Sequence, residues 1–272
     1  MAMEHLHPVV VGRFRHRGAE LAYEVVGHGP PVVYAHGGLV SRAHEDRMSL
    51  FRWSPLLAAG RSLVRYDARA HGRSTGRPVE ADYTYPALAH DLIALLDHLG
   101  VAGPVDGIGA SMGCGTVLHA AVSAPGRFSR LVLLLPPTAR ETRPAYALAN
   151  RDAAATIERE GVDAWLAGRG NRPRPPAAAD VAELPPTPPA ALLPSVLRGL
   201  ARSDLPATAG LAALHHPALI LAWADDPGHP VTTAEMLAER LPHAELHVAR
   251  TRPEVDTWGE CIARFLTRHP PP

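Results

Sequence analysis

The chain contains no lysine; all 27 of its basic residues other than histidine are arginine. That excludes a lysine Schiff base, a P-loop lysine and a lysine general base. Its two cysteines, Cys114 and Cys261, are too few for a disulfide framework and lack metal-ligand spacing. A reducing cytoplasm is therefore the expected setting. No segment approaches the ~20 consecutive apolar residues of a membrane span. The first eleven residues also lack the charged and apolar regions of a secretory signal. Nor is there an excess of charge: 27 basic against 27 acidic residues give a net charge of +0 and a pI near 7.3. Without an overall field to hold a polyanion or an anionic membrane, neither nucleic acid nor membrane is expected as a partner. With no recognised ligand spacing, no metal or organic cofactor is expected either.

What is present is ordinary material for a core. Of 272 residues, 46% are hydrophobic and 20% charged, a balance that supports a sizeable buried interior. Two β-rich stretches over residues 8–24 end at Gly27-His28-Gly29-Pro30. There a hairpin would pass into the apolar strand Pro31–Ala35 and then His36-Gly37-Gly38. A second strand over Ser62–Tyr66 precedes a polar turn from Asp67 to Ser74. Leu88, Leu92, Leu95, Leu96 and Leu99 then recur at helical spacing, with Gly100 as a C-cap. Further strands are predicted over residues 104–109, 131–135, 218–222 and 245–249. Helices are predicted from Ser111 to Ala124 and over residues 232–241 and 256–265. Strands alternating with helices imply an α/β fold with a mostly parallel sheet covered on both faces.

The alternation stops between Thr138 and His216, where alanine-rich helical stretches are interrupted by eight prolines in residues 173–194. So many prolines exclude one long helix, and a segment of this length reads as a cap or as a flexible linker. The expected division is a first core part at residues 1–137, a cap insertion at 138–216 and a second core part at 217–272.

Gly109-Ala110-Ser111-Met112-Gly113 has the form G-x-S-x-G where a strand meets a helix. Flanking glycines relieve crowding at so sharp a turn, which leaves the serine hydroxyl exposed and the helix N-terminus aimed at a developing oxyanion. Together with the hairpin, His36-Gly37-Gly38, the Asp67 to Ser74 turn, Asp226 and the terminal helix, in that order, the chain resembles the α/β-hydrolase family over all but the cap. The resemblance implies a nucleophile at Ser111 and an oxyanion hole from backbone N–H groups of Gly38 and Met112. It also implies a mainly structural His71, with Ala70 departing from the glycine common in that turn. The family's acid corresponds to Asp226, whose spacing to Pro230 fits, with Asp225 in reserve. Both aspartates also read as simple turn caps.

A serine hydroxyl needs a base that is itself oriented by a carboxylate. The family supplies it just after the last strand. Here that stretch is Ala249-Arg250-Thr251-Arg252-Pro253-Glu254-Val255-Asp256, without a histidine. His247 lies within the strand and His269 beyond the last helix. His229, three residues after Asp226, is the substitute candidate, or else an ordinary polar loop residue. His36 is normally held by structural hydrogen bonds, and His119 and Cys114 read as packing residues. Arg69, Arg73, Arg140 and Arg143 fall in loops that border the pocket in this fold, where one could bind an acidic group on a substrate, while for most of them a solvated surface is expected. Arg250 and Arg252 stand where the base belongs and could serve only in binding or electrostatic stabilisation. Three readings follow: a serine hydrolase of a small ester, lactone, thioester or amide; a lyase, isomerase or cyclase using the oxyanion hole without hydrolysis; or a non-catalytic binding member of the fold.

Overall fold

A computed structural model describes residues 9–168 and 174–269; the readings for residues 1–8 and for Pro173 lie outside them. Eight strands form one sheet: β1 (Val9–His16), β2 (Ala19–Gly27), β3 (Pro31–Ala35), β4 (Ser62–Tyr66), β5 (Val105–Ala110), β6 (Phe128–Leu134), β7 (Ala218–Trp223) and β8 (Ala244–Ala249). Their order is β1-β2-β4-β3-β5-β6-β7-β8. The first two pairings are antiparallel and all the others parallel. The central strands β5, β6 and β7 are buried along their whole length; β7 is a continuous apolar run, while Asp106 of β5 and Arg130 of β6 form a buried ion pair.

The helices are α1 (Arg42–Met48), α2 (Ser54–Ala58), α3 (Tyr85–His98), α4 (Met112–Ser123), α5 (Arg143–Glu160), α6 (Val162–Gly168), α7 (Leu193–Ala201), α8 (Thr208–Ala212), α9 (Val231–Arg240), α10 (Arg252–Asp256) and α11 (Trp258–Arg268). Leu88, Leu92, Leu95 and Leu96 of α3 join α4 and α9 residues in the core on one face of the sheet; Trp258, Ile262, Phe265 and Leu266 of α11 fill the other. The helix expected over residues 256–265 is α11, displaced by two to three residues, and a further short helix, α10, precedes it, started after β8 by a capping box of Thr251 and Glu254.

Between β6 and β7 the chain leaves the sheet for α5 to α8. Ala154 and Ile157 of α5 meet Leu193 and Leu197 of α7 in a small apolar cluster, against which Leu39 of the core packs. Proline does not forbid α7; Pro194 occupies its first turn, where a missing N–H costs nothing.

Strand β3 lies between β4 and β5, so the chain reverses direction across the sheet there. Ligands in open α/β sheets bind beyond the carboxyl ends of strands at such a reversal. The loop 36–41 leaves β3 at this point and Ser111 leaves β5 beside it.

Candidate active site

Ser111 joins β5 to α4 with φ 49 and ψ −110, a region costly for a residue that carries a Cβ. The turn is tight enough that a Cβ on Gly113 would strike the carbonyl oxygen of Ala35, and one on Gly109 would strike the backbone of Gly113. The N–H of Ser111 donates to Leu134 O at 2.9 Å, which ties the bend to β6. Cys114 points inward, with its thiol on the carbonyls of Gly109 and Leu134 at 3.1 and 3.2 Å. Burial pushes that thiol far above its ordinary range, so it is inert packing, as its position in the helix suggested.

The histidine on Ser111 comes from the loop after β7. His229 Nε2 lies 2.8 Å from Ser111 Oγ, and His229 Nδ1 lies 2.8 Å from Asp226 Oδ2. An Nδ1–H directed at the carboxylate leaves the Nε2 lone pair for the serine hydroxyl. Asp226 also accepts from Trp223 Nε1 at 2.7 Å and from the N–H of Gly228 at 2.8 Å. Burial raises the Asp226 pKa, but the hydrogen bonds from His229, Trp223 and Gly228 outweigh it and hold the carboxyl at about 2. Asp225 is exposed, with φ 63, and forms no part of this chain of bonds.

Beside Ser111 sits the loop His36-Gly37-Gly38. Any Cβ on Gly38 would lie 3.7 Å from Met112 Cβ, so the loop and the first residue of α4 are neighbours. His36 Nδ1 donates to Gly37 O at 2.7 Å while Nε2 accepts from the N–H of Ala68 at 2.9 Å. Both ring nitrogens are thus engaged, which leaves His36 no proton-accepting position for Ser111. The Gly37 carbonyl shares a trans peptide with the Gly38 N–H, so fixing the oxygen toward His36 turns that N–H to the opposite side. His71 Nε2 accepts from the N–H of Leu39 at 3.1 Å, and its Nδ1 donates to Arg69 O at 2.8 Å. Burial drives the His71 pKa down to about 3, so the ring is neutral and able to accept. Ala70 holds φ 65, the conformation glycine would take more cheaply. The N–H of Met112, at the start of α4, has no acceptor within its own helix.

The segment after β8 turns away. Glu254 accepts from the N–H groups of Arg250 and Thr251. Arg252 pairs with Asp180 and Asp256 and donates to Ser49 O, while Arg250 is exposed. Arg252 is thus engaged away from Ser111, while Arg250 borders a cleft that also includes Asp225 and Asp226. Of the other arginines, Arg73 is exposed, as a solvated surface predicts, while Arg69 and Arg143 are buried. Arg69 is wholly buried, bidentate to Asp91 and bonded to the carbonyls of His16 and Arg17, so it braces the hairpin rather than bordering a pocket. Arg143 is buried against the Tyr85 and Tyr146 rings, Arg140 pairs with Asp204, and only Arg73 is a freely exposed loop residue. His119 Nε2 meets Asp204 O at 2.9 Å, His247 is exposed on β8, and His269 faces Glu245.

Two participants escape a reading of the sequence. Trp223 looks like an apolar strand end, although an indole N–H near a candidate carboxylate is a legible signal. Glu45 looks like the polar face of a short helix yet is 4% exposed and accepts from the N–H of Gly37 at 3.2 Å. A cleft of about 340 Å³ opens beside Asp226, lined by Val40, Met48, Ala178, Val181, Leu184 and Trp223 among others. Among the described residues, no three His, Cys, Asp or Glu side chains stand close enough to hold a metal ion, and no helix is long and apolar enough to cross a membrane.

A family model described as the alpha/beta hydrolase fold matches residues 30–161. The sn-1-specific diacylglycerol lipase ABHD11 of Danio rerio is 35% identical over 119 residues, 42% of this chain and only 35% of that protein's length. A putative carbamate hydrolase RutD of Variovorax paradoxus is 29% identical over 270 residues, 91% of this chain and 96% of that protein. A crystal structure of a hydrolase from Pseudomonas aeruginosa PA01 superposes with a TM-score of 0.78 at 24% identity, covering 94% of this chain and 98% of that one. The chain has the α/β-hydrolase fold, and the family-model match takes in just under half of it.

Proposed function

We propose that the protein is a serine hydrolase that cleaves a small ester, lactone, thioester or amide through an acyl-enzyme at Ser111, with His229 as base and Asp226 as its orienting acid. The observation that carries this reading is the unbroken relay from Ser111 Oγ to His229 Nε2 and from His229 Nδ1 to Asp226, each step 2.8 Å. In the first half-reaction, Oγ attacks the substrate carbonyl carbon as Nε2 takes the hydroxyl proton. The imidazolium then formed is stabilised by Asp226, which stays ionised because its own hydrogen bonds hold its pKa at about 2. Negative charge developing on the carbonyl oxygen is met by the N–H groups of Gly38 and Met112 and by the positive end of α4. The proton passes from Nε2 to the leaving group, and water enters by the same route to release the acid. Residues 138–216 serve as a cap, and the cleft beside Asp226 takes the substrate's apolar part.

The lipase and the putative carbamate hydrolase among the relatives fall in the same broad reaction class. The non-hydrolytic reading is motivated by the lack of a histidine after β8, and the imidazole hydrogen-bonded to Ser111 favours hydrolysis over it. The test is labelling with a fluorophosphonate. Wild-type protein is expected to be modified at Ser111; Ser111→Ala should abolish the label, and His229→Ala should slow it by at least roughly 10⁴-fold, since triad members act as a unit. Labelling at an undiminished rate in His229→Ala would remove His229 from the mechanism.

A further inference from the structure

Glu45 lies in α1 with its side chain turned inward, whereas its neighbour Asp46 reaches out to Arg65. One carboxyl oxygen accepts from the N–H of Gly37; the other is buried without a hydrogen-bond partner. Three ionisable groups face this carboxyl: Tyr34 on β3, Arg65 on β4 and Asp46 on α1. Tyr34 lies close by without forming a well-made hydrogen bond, and Arg65 is committed to Glu24 and Asp46. A buried carboxylate with no cation of its own is costly. Burial accordingly pushes Glu45 up to about 8, and it is mostly a neutral acid at pH 7.

Its single completed bond falls on the loop that flanks Ser111. Granted the serine-hydrolase reading, on which this role rests, we infer that Glu45 is a positioning residue for the oxyanion hole. Glu45 holds the N–H of Gly37, His36 holds the C=O of Gly37, and His71 holds the N–H of Leu39. The N–H of Gly38 lies between these fixed points, and among the described residues no protein group engages it. It is therefore presented to a substrate oxygen in one orientation. Above pH 8 the carboxyl ionises, and a negative charge then stands one peptide away from the oxygen that must itself become negative. Activity should fall there through kcat, because the hole is used in the transition state and not in ground-state binding.

Glu45→Gln keeps an acceptor for Gly37 but cannot ionise; Glu45→Leu removes the acceptor. With p-nitrophenyl acetate at pH 7, Glu45→Leu should lose about tenfold or more in kcat with KM within about twofold, and Glu45→Gln should stay within about threefold of wild type. Between pH 7 and 9, wild type should lose kcat and Glu45→Gln should not. The Gly37 amide resonance should titrate with a midpoint near pH 8 in wild type and in Ser111→Ala, but not in Glu45→Gln. If Glu45→Leu does not fold, the last two measurements decide. A Gly37 amide that does not titrate, or a Glu45→Gln profile that still falls above pH 8, overturns the role, as does a Glu45→Leu enzyme as fast as wild type. Wild-type protein that neither cleaves the ester nor takes a fluorophosphonate at Ser111 overturns the hydrolase reading and this role together.

Discussion

At the scale of single residues, the site combines a strained backbone with a well-satisfied carboxylate. Ser111 has a positive φ that costs on the order of 1–3 kcal/mol, and the backbone bond to Leu134 O together with the start of α4 hold it there. Comparing Ser111→Gly with Ser111→Ala isolates this strain, because both lack the hydroxyl. Glycine should be the more stable of the two by about 1 kcal/mol in urea unfolding, after the greater flexibility of its unfolded chain is subtracted. Equal stabilities would mean that the bend is not strained. Asp226 shows the opposite economy: three donors converge on it, so the group that orients His229 is fixed from the β7 side by Trp223 and from its own loop by Gly228.

At the scale of elements, loop chemistry decides which segment reaches the serine. After β8, Thr251 and Glu254 start a helix at once, and Arg252 is drawn into pairs with Asp180 and Asp256. After β7, the stretch from Ala224 to Pro230 makes a turn whose His229 N–H donates to Asp226 O, and this brings the imidazole back over Ser111. In the insertion, Arg143 in the first turn of α5 donates to Leu200 O and Ser203 O at the end of α7 and to Thr138 O. A buried guanidinium on carbonyls at a helix C-terminus satisfies acceptors that would otherwise be orphaned. Arg143→Met should therefore destabilise by about 2–4 kcal/mol in chemical denaturation. Lysine should recover only part of that, since it lacks the planar fork. Full recovery by lysine would reduce the interaction to simple charge.

At the scale of the whole molecule, the reversal of strand order at β3 gathers loops from β3, β5 and β7 at one edge, and burial beneath them makes stability depend on pH. Glu45 has a folded pKa of about 8 against an ordinary 4.5. The folded state therefore keeps a proton that the unfolded state has lost, so the contribution of Glu45 to stability falls as pH rises from about 4.5 to about 8 and then levels, while buried His71, held neutral, acts in the opposite sense below about pH 6.5. The span is a few kcal/mol at most at about 1.4 kcal/mol per pH unit. Glu45→Gln should lack this slope in unfolding curves measured across that range; an unchanged slope would assign it to another group. The parallel sheet and the sharp turn at Ser111 were legible in the sequence as local patterns, apolar runs and glycines flanking a serine, whereas the Gly37-Gly38 loop and Asp226 were picked out by their resemblance to the α/β-hydrolase family. Which histidine would meet Ser111 was not a local matter, and in the sequence His229 was one candidate beside the reading of an ordinary polar loop residue. His229 is 118 residues from Ser111, and its meeting with the serine depends on which of two loops, after β7 or after β8, folds back over the elbow. The burial of Glu45, Arg69 and Arg143 was hidden for the same reason, since a charged residue reads as surface until the elements packed around it are known. Local composition thus determined the strands, helices and sharp turns; only packing decided which distant polar groups lost their water and had to find one another.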